Sequence, residues 1–541
     1  MQGNLAQASA QEGFVSVDCG APAGKYTDNK TSIEWMSDAA GQAAIFVSEG
    51  VSVAAPVQAP AAAEIKKYDA NEAQRLSSVR YFPGGEQSKY CYVFSGNDFP
   101  FVQPHTALLV RAAFWAGNLT FNASAGTTNT FQLLINADIW DDVSIALPQS
   151  QVVVKEAYML PASNTSPPSI SVCLAGKGAG NMTGIPFVSS LELRLLPPDF
   201  YNFYSTYFRL PMHLVSAVDY GAATDETAIR FPDDPIDRIW QADTSHRPIQ
   251  STSREIATDV LPFAAPALHV LQTAYVQDEQ IMLILPVPKG ANYVYYVEMY
   301  IFDTSETQEV SKGQRVFALQ ATGYRLSDPI DLFDFRPLYY FSPFLGAAFP
   351  LRAEGDGHLN FTVTKAANST YGPLINALQL FRDFGPLHPG SNGQDIDAIS
   401  FLQTNHFKSL RRWSGDPCSP YPYNWLTCTA DESPRVSNLL LSNRGLNGNM
   451  PTSINFLESL VEIFLDHNEL SGPIPDLGKL QKLQTLDLSN NNFSGQIPTA
   501  LANLPRLETL ILDNNSFEGE VPQELLDKFL NPKFKLRCGE L

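Results

Sequence analysis

Alternation of apolar and polar positions dominates the first two thirds of the chain. Between the runs lie clusters of Gly, Pro, Asn and Ser, and few segments show a sustained helical period. A period of two residues places successive side chains on opposite faces of a strand. The pattern therefore predicts an all-β sandwich or jelly roll. The clearest runs are Phe14–Val17, Ala107–Phe114, Phe131–Ile135, Val152–Val154 and Leu191–Leu196.

A second unit repeats this plan between about residues 208 and 384, with strands predicted at Ile281–Leu285, Tyr293–Val297, Arg315–Leu319 and Leu359–Val363. Pro197-Pro198 marks the boundary between the two units, and a Gly/Pro/Ser/Asn-rich stretch around 385–394 forms the next linker. A short helix is predicted from Asp395, because acidic residues precede apolar positions at helical spacing. We divide the chain into a disordered N-terminus (1–12), a first β-subdomain (13–200), a second (201–385), a linker with helix and cysteine cap (386–435) and a repeat region (436–541).

The repeat region carries the pattern L-x-x-L-x-L-x-x-N-x-L-x-G-x-I-P about every 24 residues. Its turns begin at Val436, Leu460, Leu483 and Leu507. Asn468, Asn491 and Asn515 hold the asparagine position, where a side-chain amide can bond turn backbone, and Arg444 replaces it in the first turn. About four in-register copies predict a short leucine-rich-repeat solenoid.

Two cysteines and two tryptophans stand between the β-rich part and the repeats, in Trp413–Cys418 and Trp425–Cys428. A repeat array exposes an open apolar end unless something seals it, because each repeat buries its core only against its neighbours. We therefore predict a Cys418–Cys428 disulfide that caps the solenoid. The connectivity of Cys19, Cys91, Cys173 and Cys538 stays open at this stage.

The net charge excludes one class of partner, and the sequons favour an extracellular protein. A formal charge of −20 argues against nucleic acid as a partner. Nine Asn-X-Ser/Thr sequons predict a secreted, glycosylated chain, and no apolar run is long enough to span a bilayer. Ala8-Ser9-Ala10 resembles the small-residue end of a signal peptide. The predicted glycosylation sites are Asn29, Asn118, Asn122, Asn164, Asn181, Asn360, Asn368, Asn492 and Asn514.

Catalytic motifs are not recognised in the sequence. The eight histidines are scattered, with no pair at the helical spacing of metal ligands, and no nucleophile elbow or phosphate loop is present. Asp233, Asp234 and Asp237 allow two interpretations, a calcium site or a turn with structural salt bridges, and we favour the second. We predict no cofactor, no metal and no enzymatic activity in this chain.

Short motifs with recognisable residues recur along the chain. In the first subdomain they are Asp18–Gly20, Tyr26–Asp28, Trp35–Asp38, Arg80–Pro83, Lys89–Tyr92 and Phe114–Asn118. In the second they are Arg230–Asp234, Asp237–Trp240, Gln272–Ala274, Gly313–Phe317 and Gly372–Ala377, and Gly415–Cys418 joins these to the repeats. Together these motifs resemble the extracellular part of plant malectin-like/leucine-rich-repeat receptor kinases of the symbiosis-receptor-kinase type. The chain is also similar to their kinase-less relatives, the di-glucose-binding proteins with leucine-rich repeats.

The resemblance implies a mainly β fold, with two tandem malectin-like β-sandwich domains followed by the solenoid. It also implies a ligand-recognition role at the cell surface, with a cell-wall carbohydrate or a peptide as ligand and a receptor kinase as possible co-receptor. Animal malectin holds a glucose disaccharide with loop aromatics and an aspartate. The corresponding neighbourhoods here offer Tyr26, Asp28, Tyr90, Tyr92, Phe114 and Trp115 as carbohydrate-binding candidates.

The repeats supply a second candidate surface. Side chains flanking the L-x-L core project from the concave sheet, where solenoids bind partners. An apolar stripe with an acidic rim suits a protein or peptide with basic edges, although a spacer role is the alternative. The predicted concave residues are Leu440, Phe464, Asp487 and Ile511 in one column, with Asp466 and Asp513 beside Ser442 and Ser489 in the next.

Two functions from different classes follow. A receptor ectodomain predicts that the reading frame continues past Leu541 into an apolar, membrane-spanning segment. A secreted or anchored lectin without a kinase predicts sugar binding that Trp115→Ala abolishes. An enzyme acting on oligosaccharides is a third possibility, and we do not expect turnover.

Overall fold

The structure is a computed structural model. It describes residues 13–29, 31–39, 46–47, 51–53, 76–83, 89–117, 119, 127–147, 149, 152–161, 167–176, 184–197, 211–222, 228–243, 245–252, 266–287, 293–302, 311–321, 324–325, 329–335, 357–384, 388–407, 410, 413–529 and 532–538. Residues 1–12, for which we predicted disorder, lie outside the described residues.

The first module, for which we predicted the bounds 13–200, forms a β-sandwich in its described residues. Phe131, Leu133 and Ile135 on β9 pack into the same core as Val110 and Phe114 on β8, which belongs to the opposite sheet. The alternation seen in the sequence thus places one face of each strand inside. The strands are β1 (Phe14–Asp18), β2 (Lys25–Thr27), β3 (Glu34–Ser37), β4 (Phe46–Val47), β5 (Val51–Val53), β6 (Val79–Tyr81), β7 (Tyr90–Ser95), β8 (Leu108–Phe114), β9 (Thr128–Ile135), β10 (Asp138–Ala146), β11 (Val153–Met159), β12 (Ser169–Ala175), β13 (Phe187–Val188) and β14 (Ser190–Leu195).

The second module, for which we predicted the bounds 201–385, repeats the sandwich plan in its described residues. Its strands are β15 (Met212–Asp219), β16 (Gln241–Ala242), β17 (Ile249–Ser251), β18 (Thr273–Val276), β19 (Gln280–Pro286), β20 (Tyr295–Tyr300), β21 (Val316–Ala321), β22 (Tyr324–Arg325), β23 (Ile330–Asp331), β24 (His358–Lys365), β25 (Leu374–Ile375) and β26 (Ala377–Asp383). A short helix α1 (Leu268–Gln272) and a 3-10 turn (Leu332–Phe335) complete it. Its core lies between β20 and β26 on one side and β19, β24 and β21 on the other.

The two modules share one sheet. β11 of the first module pairs antiparallel with β15 of the second, with Glu156 opposite Leu214 and Tyr158 opposite Met212. The result is a ten-stranded sheet in the order β2-β3-β1-β14-β8-β11-β15-β26-β20, with β16 beside β15. Tandem modules were predicted, but this continuous hydrogen-bonded ladder between them was not. The domain bounds themselves stay a prediction.

The C-terminal region is a leucine-rich solenoid, so the mainly β fold class is confirmed. Strands β28, β30, β32, β34 and β36 run parallel in one sheet, and β27 pairs antiparallel at its open end. The strands are β27 (Leu426–Cys428), β28 (Val436–Leu440), β29 (Asn447–Asn449), β30 (Glu462–Phe464), β31 (Glu469–Gly472), β32 (Thr485–Asp487), β33 (Asn492–Gly495), β34 (Thr509–Ile511), β35 (Ser516–Phe517) and β36 (Lys535–Arg537). The sequence pattern did not predict β36.

The C-terminal region also contains helices and 3-10 turns, and each helix contacts one of the 3-10 turns. They are α2 (Gly393–Phe401), α3 (Gln523–Phe529) and the 3-10 turns Thr452–Phe456 and Thr499–Asn503. The predicted linker helix is confirmed: α2 begins after Asn392, whose side chain caps it, and continues as a π-helical turn, Leu402–His406. Asp395 anchors this helix to the first repeat, because its carboxylate accepts hydrogen bonds from Arg435 and from the Val436 backbone.

The predicted cap is confirmed. Cys418 and Cys428 form a disulfide, and the rings of Trp413 and Trp425 are buried in the core of the solenoid, 6.4 Å apart between centroids. A second disulfide joins Cys91 to Cys173 across β7 and β12, while Cys19 and Cys538 are free thiols.

Candidate functional site

Five parallel strands set the geometry of the candidate concave surface. Leu440, Phe464, Asp487 and Ile511 occupy the same register position on successive strands, and Arg537 follows them on β36. We call the first four residues the concave stripe. Leu440 is 36% exposed and the other three are half-buried. The neighbouring leucines point the other way into the core, because strand side chains alternate between faces.

Carboxylates border the concave stripe. Asp466 accepts a hydrogen bond from the Ser442 hydroxyl and lies 2.8 Å from His467 Nδ1. Asp487 accepts from the backbone and the hydroxyl of Ser489, and Asp513 forms an ion pair of 2.8 Å with Arg537. Both predicted columns therefore lie together on one surface, with acidic groups along it. Lys535 and Arg537 give its C-terminal end the opposite charge.

A ladder of asparagine amides holds the strands of this surface in register. The Asn468 side chain donates to the carbonyls of Leu441 and Leu465, and its oxygen accepts from the backbone of Arg444 and Leu446. Asn491 and Asn515 repeat the arrangement one and two turns later. Each amide satisfies backbone groups of two adjacent repeats, as the sequence pattern predicted.

The carbohydrate-binding candidates occupy a different kind of environment. Tyr92 and Phe114 are fully buried, while Tyr90 and Trp115 are 5% and 3% exposed. Their rings face the core, where Tyr90 stacks on Phe82. A ring with no free face cannot stack on a sugar, so the burial of these four side chains argues against the role expected for them.

Tyr26 and Asp28 are half-buried, and both have protein partners. The Tyr26 hydroxyl donates to Asp18 Oδ2 over 2.9 Å, and Asp28 Oδ1 accepts from the Thr31 backbone over 2.7 Å. Sugar binding through this set of six residues stays a prediction.

A buried cluster around Asp38 explains several of the motif residues. Asp38 accepts hydrogen bonds from the Gly20 backbone, from Arg80 and from the Tyr92 hydroxyl. Burial raises the pKa of Tyr92 well above its ordinary value, and the Asp38 charge adds to that shift. Tyr92 therefore stays neutral and acts as a hydrogen-bond donor within the fold. Sequence reasoning missed this cluster because Arg80 lies 42 residues from Asp38.

Two of the three aspartates of the second module, Asp234 and Asp237, form structural ion pairs, in line with the interpretation favoured above. Asp233 is exposed, whereas Asp234 pairs with Arg238 and accepts a hydrogen bond from Trp240 Nε1. Asp237 is fully buried and contacts Arg111, Arg194 and Arg230 within 3.0 Å. No cluster of three or more metal-ligating side chains occurs within the described ranges.

Asp237 and the arginines around it link the two modules. Arg111 and Arg194 belong to the first module and Arg230 and Asp237 to the second, while Glu192 and Glu156 complete what we call the charged cluster. Burial by itself would raise the pKa of Asp237, but Arg230, Arg194 and Arg111 outweigh it and hold this pKa well below its ordinary value. The arginines therefore favour the charged form of this carboxylate.

The cap meets the first module at the residues of the Gly415–Cys418 motif. Gly415 has a φ of +81°, and a Cβ added there would lie 2.7 Å from Cys91 Sγ. Asp416 accepts hydrogen bonds from the backbone of Ser391, Cys418 and Ser419. The motif thus combines a close approach to the Cys91–Cys173 bridge with a capped turn that leads into the Cys418–Cys428 bridge.

A family model decides the relationship. The model of the malectin-like domain matches residues 17–382, which is more than half of the chain, and a leucine-rich-repeat model matches residues 475–517. The chain belongs to the malectin-like family.

Relatives of this malectin-like chain include receptor kinases. A probable LRR receptor-like serine/threonine-protein kinase of Arabidopsis thaliana is 31% identical over 517 residues, which cover 91% of this chain and 49% of the relative. A nodulation receptor kinase of Pisum sativum is 27% identical over 86% of this chain and 45% of its own length. The malectin-like chain spans about half the length of the curated relatives it matches.

Solved structures show the same fold. The plant receptor-like kinase ANX2 superposes with a TM-score of 0.51 at 15% identity, over 68% of this malectin-like chain and 96% of the ANX2 chain. The plant receptor-like kinase FER superposes with a TM-score of 0.50 at 16% identity, over 69% and 98%. Likeness at this identity concerns the fold alone.

The extracellular, receptor-ectodomain character predicted for the malectin-like chain agrees with these relatives and with its two disulfides. Within the part of the chain that the structure describes, no helix has the length and apolar character needed to cross a bilayer. Of the predicted glycosylation sites, Asn29, Asn368, Asn492 and Asn514 are exposed and Asn360 is half-buried. Asn118, Asn122, Asn164 and Asn181 lie outside the described residues.

Proposed function

We propose that this chain is the non-catalytic, ligand-recognising ectodomain of a plant malectin-like/leucine-rich-repeat receptor, and that its concave surface binds a peptide. The observation that carries the proposal is the concave stripe. Leu440, Phe464 and Ile511 share one register column with Asp487, and Asp466 lies in the next column. Apolar side chains at the centre of a surface provide affinity, and the charges around them select the partner.

The chemistry of the surface supports one class of ligand over others. Glu462, Asp466 and Asp487 favour Lys or Arg side chains on the peptide, while the aliphatic and aromatic members of the stripe favour apolar ones. Arg537 lies at the other end of the surface. Asp513 pairs with it, but the Arg537 side chain is still 70% exposed, so it favours an acidic group on the peptide. A short extended peptide with a basic-apolar segment and a more acidic end matches this arrangement.

The test is a synthetic peptide library, in which basic, acidic and apolar positions are varied, screened against the glycosylated chain. Affinities of the selected peptides are then measured by calorimetry. Phe464→Ala and Ile511→Ala are expected to weaken binding at least about tenfold each, as truncation of central anchors does. Phe456→Ala is the matched control, because Phe456 is 45% exposed but lies on a 3-10 turn outside the concave sheet.

A lectin function is the alternative, and the same preparation tests it. Calorimetry with gluco-oligosaccharides is expected to show no binding, since four of the six candidate residues are buried. Saturable binding of a glucose disaccharide, lost in Tyr26→Ala, would favour the lectin over the peptide receptor.

Signalling and a co-receptor are part of the proposal for the whole protein. The receptor kinases to which this chain is similar are about twice its length, which supports a kinase function outside the matched part. The downstream reading frame is expected to encode an apolar span and a kinase. A co-receptor is expected to join only when the selected peptide is present, which gel filtration of the two ectodomains with and without peptide measures.

A further inference from the structure

Two large apolar side chains lie in solvent on the outer face of the second module. Met282 and Ile284 on β19 are 61% and 62% exposed, more than any other large apolar side chain that the structure describes. Ile281, Leu283 and Leu285 alternate with them and are buried in the core. β19 is also the terminal strand of its sheet among the described strands, in the order β19-β24-β21-β22. An apolar face on an edge strand promotes association unless something covers it.

A predicted glycosylation site lies beside these side chains. Asn360 of the sequon Asn360-Phe361-Thr362 is the antiparallel partner of Ile284, and Thr362 is the partner of Met282. Directly opposed residues share a sheet face, with Cβ atoms about 4.5–5.5 Å apart. Phe361 points into the core, so Asn360 and Thr362 point outward beside the exposed pair.

The Asn360 amide is free to be modified. Within the described part of the chain no hydrogen bond engages its side chain. Asn514 provides the contrast, because its amide nitrogen already donates to Asn490 Oδ1 over 2.8 Å.

We propose that an N-linked glycan on Asn360 covers Met282 and Ile284. The bond that forms joins Asn360 Nδ2 to C1 of N-acetylglucosamine. The bond that breaks joins that carbon to the phosphate of a lipid-pyrophosphate oligosaccharide donor, so the lipid pyrophosphate leaves with the electron pair and the amide loses one proton. The first sugar ring lies with its C–H face on the two apolar side chains, and its hydroxyls face water.

The glycan fits this face better than a second protein does. Two side chains supply only a small part of the roughly 800 Å² per partner that a stable interface buries. A protein strand added to the free edge of β19 would meet the oligosaccharide on the adjacent strand. A single glycan at Asn360 therefore covers Met282 and Ile284 and also blocks the addition of another strand to the edge of β19.

Methionine oxidation tests the proposal on the full chain secreted from plant cells. Glycopeptide mass spectrometry measures the occupancy of Asn360, and peptide mass spectrometry measures the rate at which hydrogen peroxide converts Met282 to the sulfoxide. Thr362→Val keeps the β-branched shape and removes the hydroxyl that the sequon requires. Met282 is expected to oxidise about twofold faster or more in Thr362→Val than in the wild type, because oxidation follows exposure.

The matched control is Thr370→Ala, which removes the sequon of exposed Asn368 and is expected to leave the Met282 rate unchanged. Removing the glycan from folded wild-type protein with a peptide N-glycosidase gives the same comparison without a substitution, and covers the case in which Thr362→Val does not fold. An unoccupied Asn360 in the wild type, or a Met282 rate that is the same with and without the glycan, would overturn the proposal.

Discussion

The first module is attached to its two neighbours in different ways. Its contact with the second module, the module joint, consists of the β11–β15 ladder and the charged cluster. Its contact with the solenoid, the cap joint, shares no sheet among the described strands. The cap joint depends instead on Gly415 against the Cys91–Cys173 bridge and on a few polar contacts from Lys89, Ser414 and Tyr421.

The difference has an energetic consequence. Paired backbone and buried charges tie the two modules into one unit, because neither can separate without exposing an unpaired strand and uncompensated ions. No sheet of the described strands crosses the cap joint, so this joint can open without breaking one of them. We therefore expect the modules to unfold together and the solenoid to be separable from them, and four substitutions test this difference.

Asp237→Asn is expected to have the largest effect. The substitution keeps the side-chain shape and tolerates the φ of 59° at this position, but it leaves the surrounding arginines without their shared carboxylate. Breaking a buried ion pair costs about 3–5 kcal/mol, so both modules should unfold in one transition at lower denaturant. Asp233→Asn, on the exposed neighbour, is expected to leave the midpoint unchanged. If only the second module unfolded at lower denaturant, the claim that the two modules unfold as one unit would be wrong.

Gly415→Ala tests the cap joint. The new methyl group would meet Cys91 Sγ at 2.7 Å, which adds steric strain of about 1–3 kcal/mol. Gly448→Ala is the matched control, since its φ of +83° is nearly the same and nothing lies within 4 Å of an added Cβ. Calorimetric scans are expected to show a separate solenoid transition in Gly415→Ala only. Identical scans of the two variants would mean that contact with the bridge is unimportant.

Lys89 makes the cap joint sensitive to pH. Burial lowers the pKa of Lys89 to about 8, against a smaller opposing effect of Asp416. Between pH 8 and the ordinary pKa of a lysine, the unfolded chain binds more protons at this site than the folded one. Stability should therefore rise with pH across that window, by at most about 1.4 kcal/mol per pH unit.

Denaturant unfolding from pH 7 to pH 10 measures this effect as the difference between the wild type and Lys89→Met. The difference is expected to change in favour of the wild type as the pH rises through 8. Parallel curves would show that Lys89 keeps an ordinary pKa in the folded protein.

Tyr421→Phe is expected to have the smallest effect. It removes the hydroxyl that donates to Gln132 Oε1, but the ring still packs against the Cys91–Cys173 bridge. The loss of one such hydrogen bond costs about 1 kcal/mol. A double-mutant cycle with Gln132→Ala isolates this contact, and strict additivity of the two changes would show that the bond contributes nothing.

Local patterns in the sequence predicted the solenoid well. The repeat period specified the parallel strands, the asparagine ladder and the columns that contain Phe464 and Ile511, because each depends on residues one repeat apart. The Cys418–Cys428 bridge was predictable for a similar reason, since its cysteines are 10 residues apart and flank one turn.

The candidate aromatics show where such patterns fail. Phe114 belongs to a strand that was predicted at Ala107–Phe114, but a strand pattern does not say which face is buried when both faces are apolar. The structure shows that both faces of β8 are covered, so Phe114 and Trp115 lie in the core.

By itself the sequence determined the class of each region, the repeat register and the disulfide of the cap, since these depend on spacings within a few tens of residues. Only the tertiary structure decided that β11 pairs with β15, that Arg111 meets Asp237 126 residues away, and that Lys89 reaches Asp416 327 residues away. Such contacts depend on how whole sheets pack and on which buried charges find partners. No local period encodes that choice, because it is made by the free energy of the assembled core.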